Sequence, residues 1–177
     1  MRTTTGPAKR RAGTAIVLGA TAMLLAGCAD PVSLPPATYA ADPACAEVLQ
    51  VLPGTIGDAE RRSIGNQATA AWGDPPISLR CGVEPPPPTT ERCITVEADG
   101  TSIDWLALEG DDPMIPEHAQ RDDGAWTFIT YGRVPAIEVV VPTEQGGDQP
   151  TAVLVSLGPA VELSPAERHC VGVSDVY

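Results

Sequence analysis

Lysine is almost absent from this 177-residue sequence: Lys9 is the only one, and beyond residue 11 every Lys/Arg position is an arginine. There are two histidines, one phenylalanine, three tyrosines and three tryptophans, and 23 Asp plus Glu face 11 Lys plus Arg, a formal net charge of -12. Without a basic block the chain gains nothing from neutralising phosphates, which excludes nucleic acid as a partner class. No Gly-x-Ser-x-Gly occurs, and none of the cysteines forms a Cys-x-x-Cys pair, so neither a nucleophile elbow nor a zinc site is indicated. What is present is 43% hydrophobic and 19% charged residues, too apolar for a disordered chain and enough for one domain.

The four basic residues before residue 28 all lie in the first eleven (Arg2, Lys9, Arg10, Arg11), and fourteen uncharged, mostly apolar residues follow, Ala12 to Leu25. This is the order of a signal peptide, covering residues 1–27. At 1.5 Å per residue the run spans about 21 Å, short of the roughly 30 Å hydrocarbon core. It ends in Leu25-Ala26-Gly27-Cys28, which resembles the lipobox of bacterial lipoproteins. The resemblance implies cleavage before Cys28, a lipid (palmitate-type) anchor on that cysteine, and a location on the outer face of the cytoplasmic membrane. More than one acyl chain is enough for stable anchoring. The residues after Arg10-Arg11 do not resemble the twin-arginine export motif. The expected mature chain, Cys28 to Tyr177, has seven Arg, no Lys and all 23 acids, a formal charge of -16. Such a surface repels anionic headgroups and wall polymers and suits basic protein patches or cations, unless it serves solubility alone.

With Cys28 set aside, Cys45, Cys81, Cys93 and Cys170 form an even set in an extracytoplasmic setting, for which two disulfides are expected. Three pairings exist for four cysteines. Asp42 followed by Pro43 starts a helix in which Cys45, Val48, Leu49 and Leu52 form one stripe. Alternation puts Ile77, Leu79, Cys81 and Val83 on one strand face. Both cysteines then face the core, which favours Cys45 with Cys81 and leaves Cys93 for Cys170.

Residues 28–42 hold three prolines and no apolar periodicity, the pattern of a semi-rigid tether ahead of a single domain at 43–177. Thr55 to Trp72 reads as irregular to helical, with a helical turn at Asp58 to Arg62. Strands are predicted at Ile77–Val83, Cys93–Ala98, Ser102–Leu108, Ala125–Tyr131, Ala136–Val141 and Thr151–Leu157, with Asp99-Gly100 as a hairpin turn. Pro85 to Pro88 reads as a stiff polyproline connection or as a ligand for a proline-binding groove. Ser164-Pro165-Ala166-Glu167 has the spacing of a capping box opening a short C-terminal helix. The expected fold class is α+β: a mostly antiparallel sheet of about six strands with one or two N-terminal helices and a short C-terminal helix, stapled by disulfides.

Ala71-Trp72-Gly73-Asp74-Pro75-Pro76-Ile77, Arg80-Cys81-Gly82, Asp104-Trp105 and Thr130-Tyr131-Gly132-Arg133-Val134-Pro135-Ala136-Ile137-Glu138-Val139 resemble a family of short actinobacterial lipoproteins or secreted proteins known only as a domain of unknown function. The resemblance runs over roughly residues 43–175. It implies a cell-envelope setting and assigns no chemistry.

Nucleophilic catalysis would need a Ser or Cys beside a positioned base. Every cysteine has another role, and His118 and His169 sit in polar, loop-like or terminal surroundings. Six acids lie between Glu109 and Asp123, a solvated loop rather than a calcium site, because the EF-hand spacing is missing. Arg133 with Glu138, and Arg80 with Asp74, are candidate ion pairs. Either pair could instead border a ligand cleft with Trp72, Trp105, Trp126 and Tyr131, aromatic residues that serve equally as core. The functional expectation is a lipid-anchored binding or accessory protein, non-enzymatic, with no cofactor or metal, whose partners are the membrane, through its anchor, and an envelope protein or cell-wall component. The alternative is a small envelope enzyme using Asp74, Asp104 or Glu138 on wall glycan or peptide.

Overall fold

In the computed structural model the described residues are 1–3, 32–89, 91–98, 100–110, 112–122 and 124–171. Residues 4–27 of the expected leader and Cys28 lie outside them, as does Asp99 of the expected Asp-Gly turn. The first helix starts where Asp42 and Pro43 predict it. In α1 (Pro43–Val51) the Asp42 Oδ1 accepts from the Ala44 N–H at 2.9 Å, and Pro43 occupies the first turn, where a missing N–H costs nothing. Cys45, Val48 and Leu52 are buried on the predicted stripe.

Eight strands follow: β1 (Thr55–Ile56), β2 (Ala59–Arg62), β3 (Thr69–Trp72), β4 (Ile77–Val83), β5 (Cys93–Ala98), β6 (Thr101–Glu109), β7 (Ala125–Thr130) and β8 (Ala136–Pro142). They form one sheet in the order β1-β2-β3-β4-β8-β7-β6-β5, antiparallel at every pairing. The last strand is thus the central one, joining β4 to β7, and all seven of its residues are buried. β5 and β6 pair from Cys93↔Leu106 to Ala98↔Thr101, with Gly100 at φ 84° in the turn. Two more helices come after β8, the single turn α2 (Thr143–Gly146) and α3 (Thr151–Val161). The α+β class holds, with eight strands among the described residues rather than about six. Among the described residues no helix is long and apolar enough to cross a membrane.

Three segments differ from the sequence reading in their secondary structure. Residues 55–72 form three strands rather than irregular or helical structure. β3 (Thr-Ala-Ala-Trp) is buried at all four positions, so it shows no alternation. The charged β2 is held by Arg61, which lies over the Trp72 ring at 5.9 Å and donates to the Leu49 and Leu52 carbonyls at the end of α1. Residues 151–157 begin a helix rather than a strand. Val153, Leu154, Leu157, Ala160 and Val161 are buried, the i, i+1, i+4, i+7, i+8 spacing of one helical face, while Val155 is exposed. The valines suggest a strand, but burying that stripe against the sheet outweighs their propensity. Finally, Ser164–Glu167 does not open a helix. Ser164 is fully buried and donates through Oγ to the Pro135 carbonyl at 2.6 Å, and the Glu167 and Arg168 N–H groups both donate to Gly132.

The sheet has two covered faces. On one, Ile77, Leu79, Ile103, Phe128, Ile137 and Val139 meet α1 and α3 in the main core. On the other, Leu106, Leu108, Ile129 and Val140 meet Ile115 and Ala119 from the loop between β6 and β7. That acidic loop is therefore docked through its few apolar side chains, not merely solvated. Cys45–Cys81 joins α1 to β4 with Cα atoms 5.5 Å apart, and Cys93–Cys170 ties the C-terminal segment to β5 at 5.9 Å, the favoured pairings.

Residues 32–42 are attached to the domain instead of spanning solvent as a tether. Val32 bridges Ile64, Asn66 Nδ2 donates to the Leu34 carbonyl, and the Tyr39 N–H donates to Gly82 at 2.8 Å. Gly82 has φ 93°, and a Cβ there would run into the Tyr39 backbone, so only glycine permits this approach.

Candidate functional site

The alternation that turns Leu79 and Ile137 toward the helices turns Arg80 and Glu138 to the opposite face, and the β4–β8 register places them directly across from each other. Glu138 is 2% exposed and Arg80 8%. Glu138 Oε1 accepts from Arg80 Nη1 at 3.2 Å and lies 2.8 Å from His118 Nε2. Arg80 Nε donates to the Pro35 carbonyl at 2.8 Å. His118 stands on a 3₁₀ turn, Glu117–Ala119, which the burial of Ile115 and Ala119 anchors to the sheet. Its Nε2 also touches Arg80 Nη1. One ring nitrogen cannot accept from Arg80 and donate to Glu138 at once, and the carboxylate, the stronger acceptor, selects the form with hydrogen on Nε2.

These contacts use one terminal nitrogen of Arg80 and one oxygen of Glu138. The other two atoms, Arg80 Nη2 and Glu138 Oε2, make no hydrogen bond to the described residues, and neither is sealed from solvent. Both side chains line a pocket of about 360 Å³. Val83 with the exposed Glu84 and with Pro85, Pro86 and Pro87 forms one wall, Ala37 and Thr38 another, Met114 and Pro116 a third, and Ile129 lies beside the charged pair. The proline run is a connection between strands that also serves as a wall. The arrangement offers a buried cationic donor paired with a buried anionic acceptor, with a second carboxylate, Glu84, exposed among mostly apolar walls. His118 with Glu138 also forms an imidazole–carboxylate pair of the kind used to move protons.

The remaining candidate residues do not converge here. Trp72 and Trp105 are completely buried in the helix-side core, where Trp72 Nε1 donates to the Pro53 carbonyl at 2.9 Å, and Trp126 stacks on Phe128 beside them. They pack in and against the core rather than around a shared cleft. Tyr131 lines a separate recess next to the Cys93–Cys170 bridge. The expected ion pairs exchange partners: Asp74 binds Arg62 at 3.5 Å rather than Arg80, and Arg133 binds the Glu162 carbonyl at 3.2 Å, and that of Ser164, rather than Glu138. Burial lowers the Arg133 pKa, opposed by the negative charges of Glu162 and Asp104. Asp104 accepts from Thr95 Oγ1 at 2.6 Å and from the Cys170 N–H at 2.9 Å, and its Oδ2 lies 3.3 Å from His169 Nδ1. It fastens the C-terminal segment.

Asp74 borders a larger recess, about 810 Å³, together with Asp58, Glu60 and Glu144. Among the described residues no three His, Cys, Asp or Glu side chains are placed to hold a metal ion. Cys28 lies outside the described residues. Sequence reasoning missed His118, which sits 20 residues from Glu138 on a loop that looked solvated. Its signal was Ile115 and Ala119, apolar residues four apart in an acidic stretch. No curated protein and no solved structure matches the chain. A family profile does match, over residues 13–167, and the chain belongs to that family, DUF3515, described as proteins of unknown function.

Proposed function

We propose that this is a lipid-anchored, extracytoplasmic binding or accessory protein of the cell envelope, whose ligand enters the pocket over Arg80 and Glu138. The observation that carries the binding reading is the pair itself: two almost fully buried, opposite charges line a mostly apolar pocket, and each keeps a polar atom without a partner among the described residues. Burying such a pair costs desolvation that a hydrophobic pair would avoid, so its retention beside a pocket suits recognition better than stability. The envelope reading is supported by the leader, the Leu25-Ala26-Gly27-Cys28 string and two disulfides. Fractionation of cells expressing the wild type and Cys28→Ala, with mass analysis of the N-terminal peptide, tests it. The wild type should be in the membrane fraction with a diacylglyceryl-modified Cys28 and the variant should be released from it. An unmodified Cys28, or a variant that stays tightly membrane-bound, would refute the anchor.

The His118–Glu138 pair supports a second reading, a small envelope hydrolase acting on wall peptide or glycan. A two-carboxylate glycan mechanism finds no support in the three acids expected to serve it. Glu138 lines the pocket, Asp74 lies in the other recess and Asp104 is engaged with the C-terminal segment.

A further inference from the structure

We infer that the domain sits directly on the bilayer, the end of the sheet that carries the β2–β3 loop being held against the lipid headgroups by a very short connection. This rests on the lipid anchor at Cys28 proposed above and deepens it. Residues 32–42 are fixed to the domain along their length rather than free to extend. Val32 bridges Ile64, Asn66 donates to the Leu34 carbonyl, Arg80 Nε donates to the Pro35 carbonyl at 2.8 Å, and the Tyr39 N–H donates to Gly82 at 2.8 Å. Ala37 and Ala40 are buried among these contacts. Only Ala29, Asp30 and Pro31 then separate the anchoring cysteine from the first docked residue. Four Cα–Cα steps reach at most about 14 Å at full extension, so Val32 stands no farther than that from Cys28. An undocked segment from 28 to 42 would have allowed about 40 Å. Charge fits the same orientation. In a chain with 23 acids, the two stretches that meet at this end, 32–41 and 63–69, hold no Asp or Glu. Two acids lie nearby in the chain, Asp30 in the connection and Glu84 after β4, but the docked surface itself has none to be repelled by anionic headgroups. It exposes Ser33, Gly65 and Gln67, with Val32 and Ile64 half-buried beside them. Ala37, nine residues from Cys28, also walls the pocket over Arg80 and Glu138, which keeps that wall within about 32 Å of the anchor. A ligand of that pocket is met beside the membrane.

The test uses the lipidated protein, purified in detergent and reconstituted into vesicles of phosphatidylethanolamine and phosphatidylglycerol. With Cys28 modified and the other four cysteines in disulfides, an introduced cysteine is the one free thiol. A nitrobenzoxadiazole fluorophore is placed on Gln67→Cys, exposed in the β2–β3 loop, or on Asp148→Cys, exposed beyond the far end of β8. β8 alone runs about 20 Å from the Gly82 end of the sheet to the opposite one. A nitroxide on the lipid headgroup, which quenches only at short range, should quench several-fold more strongly at position 67 than at 148. Inserting about 12 Gly and Ser residues between Pro31 and Val32 adds an r.m.s. span of about 20 Å and leaves the domain untouched. The spacer should bring quenching at 67 down to the level at 148. Equal quenching at the two positions in the absence of the spacer, or a contrast that survives it, overturns the seating on the membrane and leaves the anchor standing. A protein that carries no lipid and does not bind the vesicles overturns the anchor and the seating together.

Discussion

Replacing Glu138 by alanine would leave Arg80 facing an empty position across the β4–β8 ladder, with 8% of its surface exposed, its hydrogen bond to Pro35 in place and the His118 ring still against it. Breaking a buried pair by removing one partner costs about 3–5 kcal/mol, because the surviving charge is desolvated and uncompensated. Here Nη2 is not sealed from solvent and His118 remains beside the guanidinium, so the low end, about 3 kcal/mol, is expected. That corresponds to roughly 10 °C in Tm for a domain of this size. Removing both charges, Arg80→Met with Glu138→Leu, should cost no more than about 1 kcal/mol, since neither desolvation nor attraction is left. A double-mutant cycle closed with the single variants Arg80→Met and Glu138→Leu would then give a coupling of about 2 kcal/mol or more. Urea unfolding followed by tryptophan fluorescence is a suitable assay, because Trp72 and Trp105 are completely buried. Losses that simply add, or a single-variant loss under about 1 kcal/mol, would show that the pair is well solvated and would remove the premise of a desolvated charged floor.

Leu157→Ala should destabilise by about 2–5 kcal/mol while Val155→Ala, at an exposed site, changes stability by under about 0.5 kcal/mol. Comparable losses at the two would fit a strand at 151–157 and contradict α3. Gly82→Ala combines a left-handed φ with a collision against the Tyr39 backbone, so it should cost more than about 2 kcal/mol in denaturant unfolding and expose residues 32–42 to protease. Unchanged protease protection would mean that this segment is held elsewhere. Cys45→Ser with Cys81→Ser opens a 36-residue loop and should lower stability by up to about 4 kcal/mol, read by the urea midpoint against the unreduced wild type. A midpoint unchanged by the pair of substitutions would remove that disulfide from the stabilising contacts.

Local signals carried the parts of the fold that local physics controls. Asp42-Pro43 starts α1, alternation marks β4, Gly100 lies in the β5–β6 turn, and the facing of Cys45 and Cys81 gives the disulfide pairing. Where two local signals compete, only packing decides. Thr151–Leu157 has the β-branched content of a strand and the stripe of a helix, and the stripe prevails because it buries five apolar side chains against the sheet. The candidate site shows the same division. Arg80 and Glu138 are visible as polar residues on strand faces, yet 58 residues separate them and nothing in the sequence says that the last strand enters the centre of the sheet. Sequence proximity instead suggested Arg133 with Glu138 and Arg80 with Asp74. The sheet register, a long-range property fixed by burial of whole faces, set Arg80 opposite Glu138, brought His118 down onto them and left the pocket above.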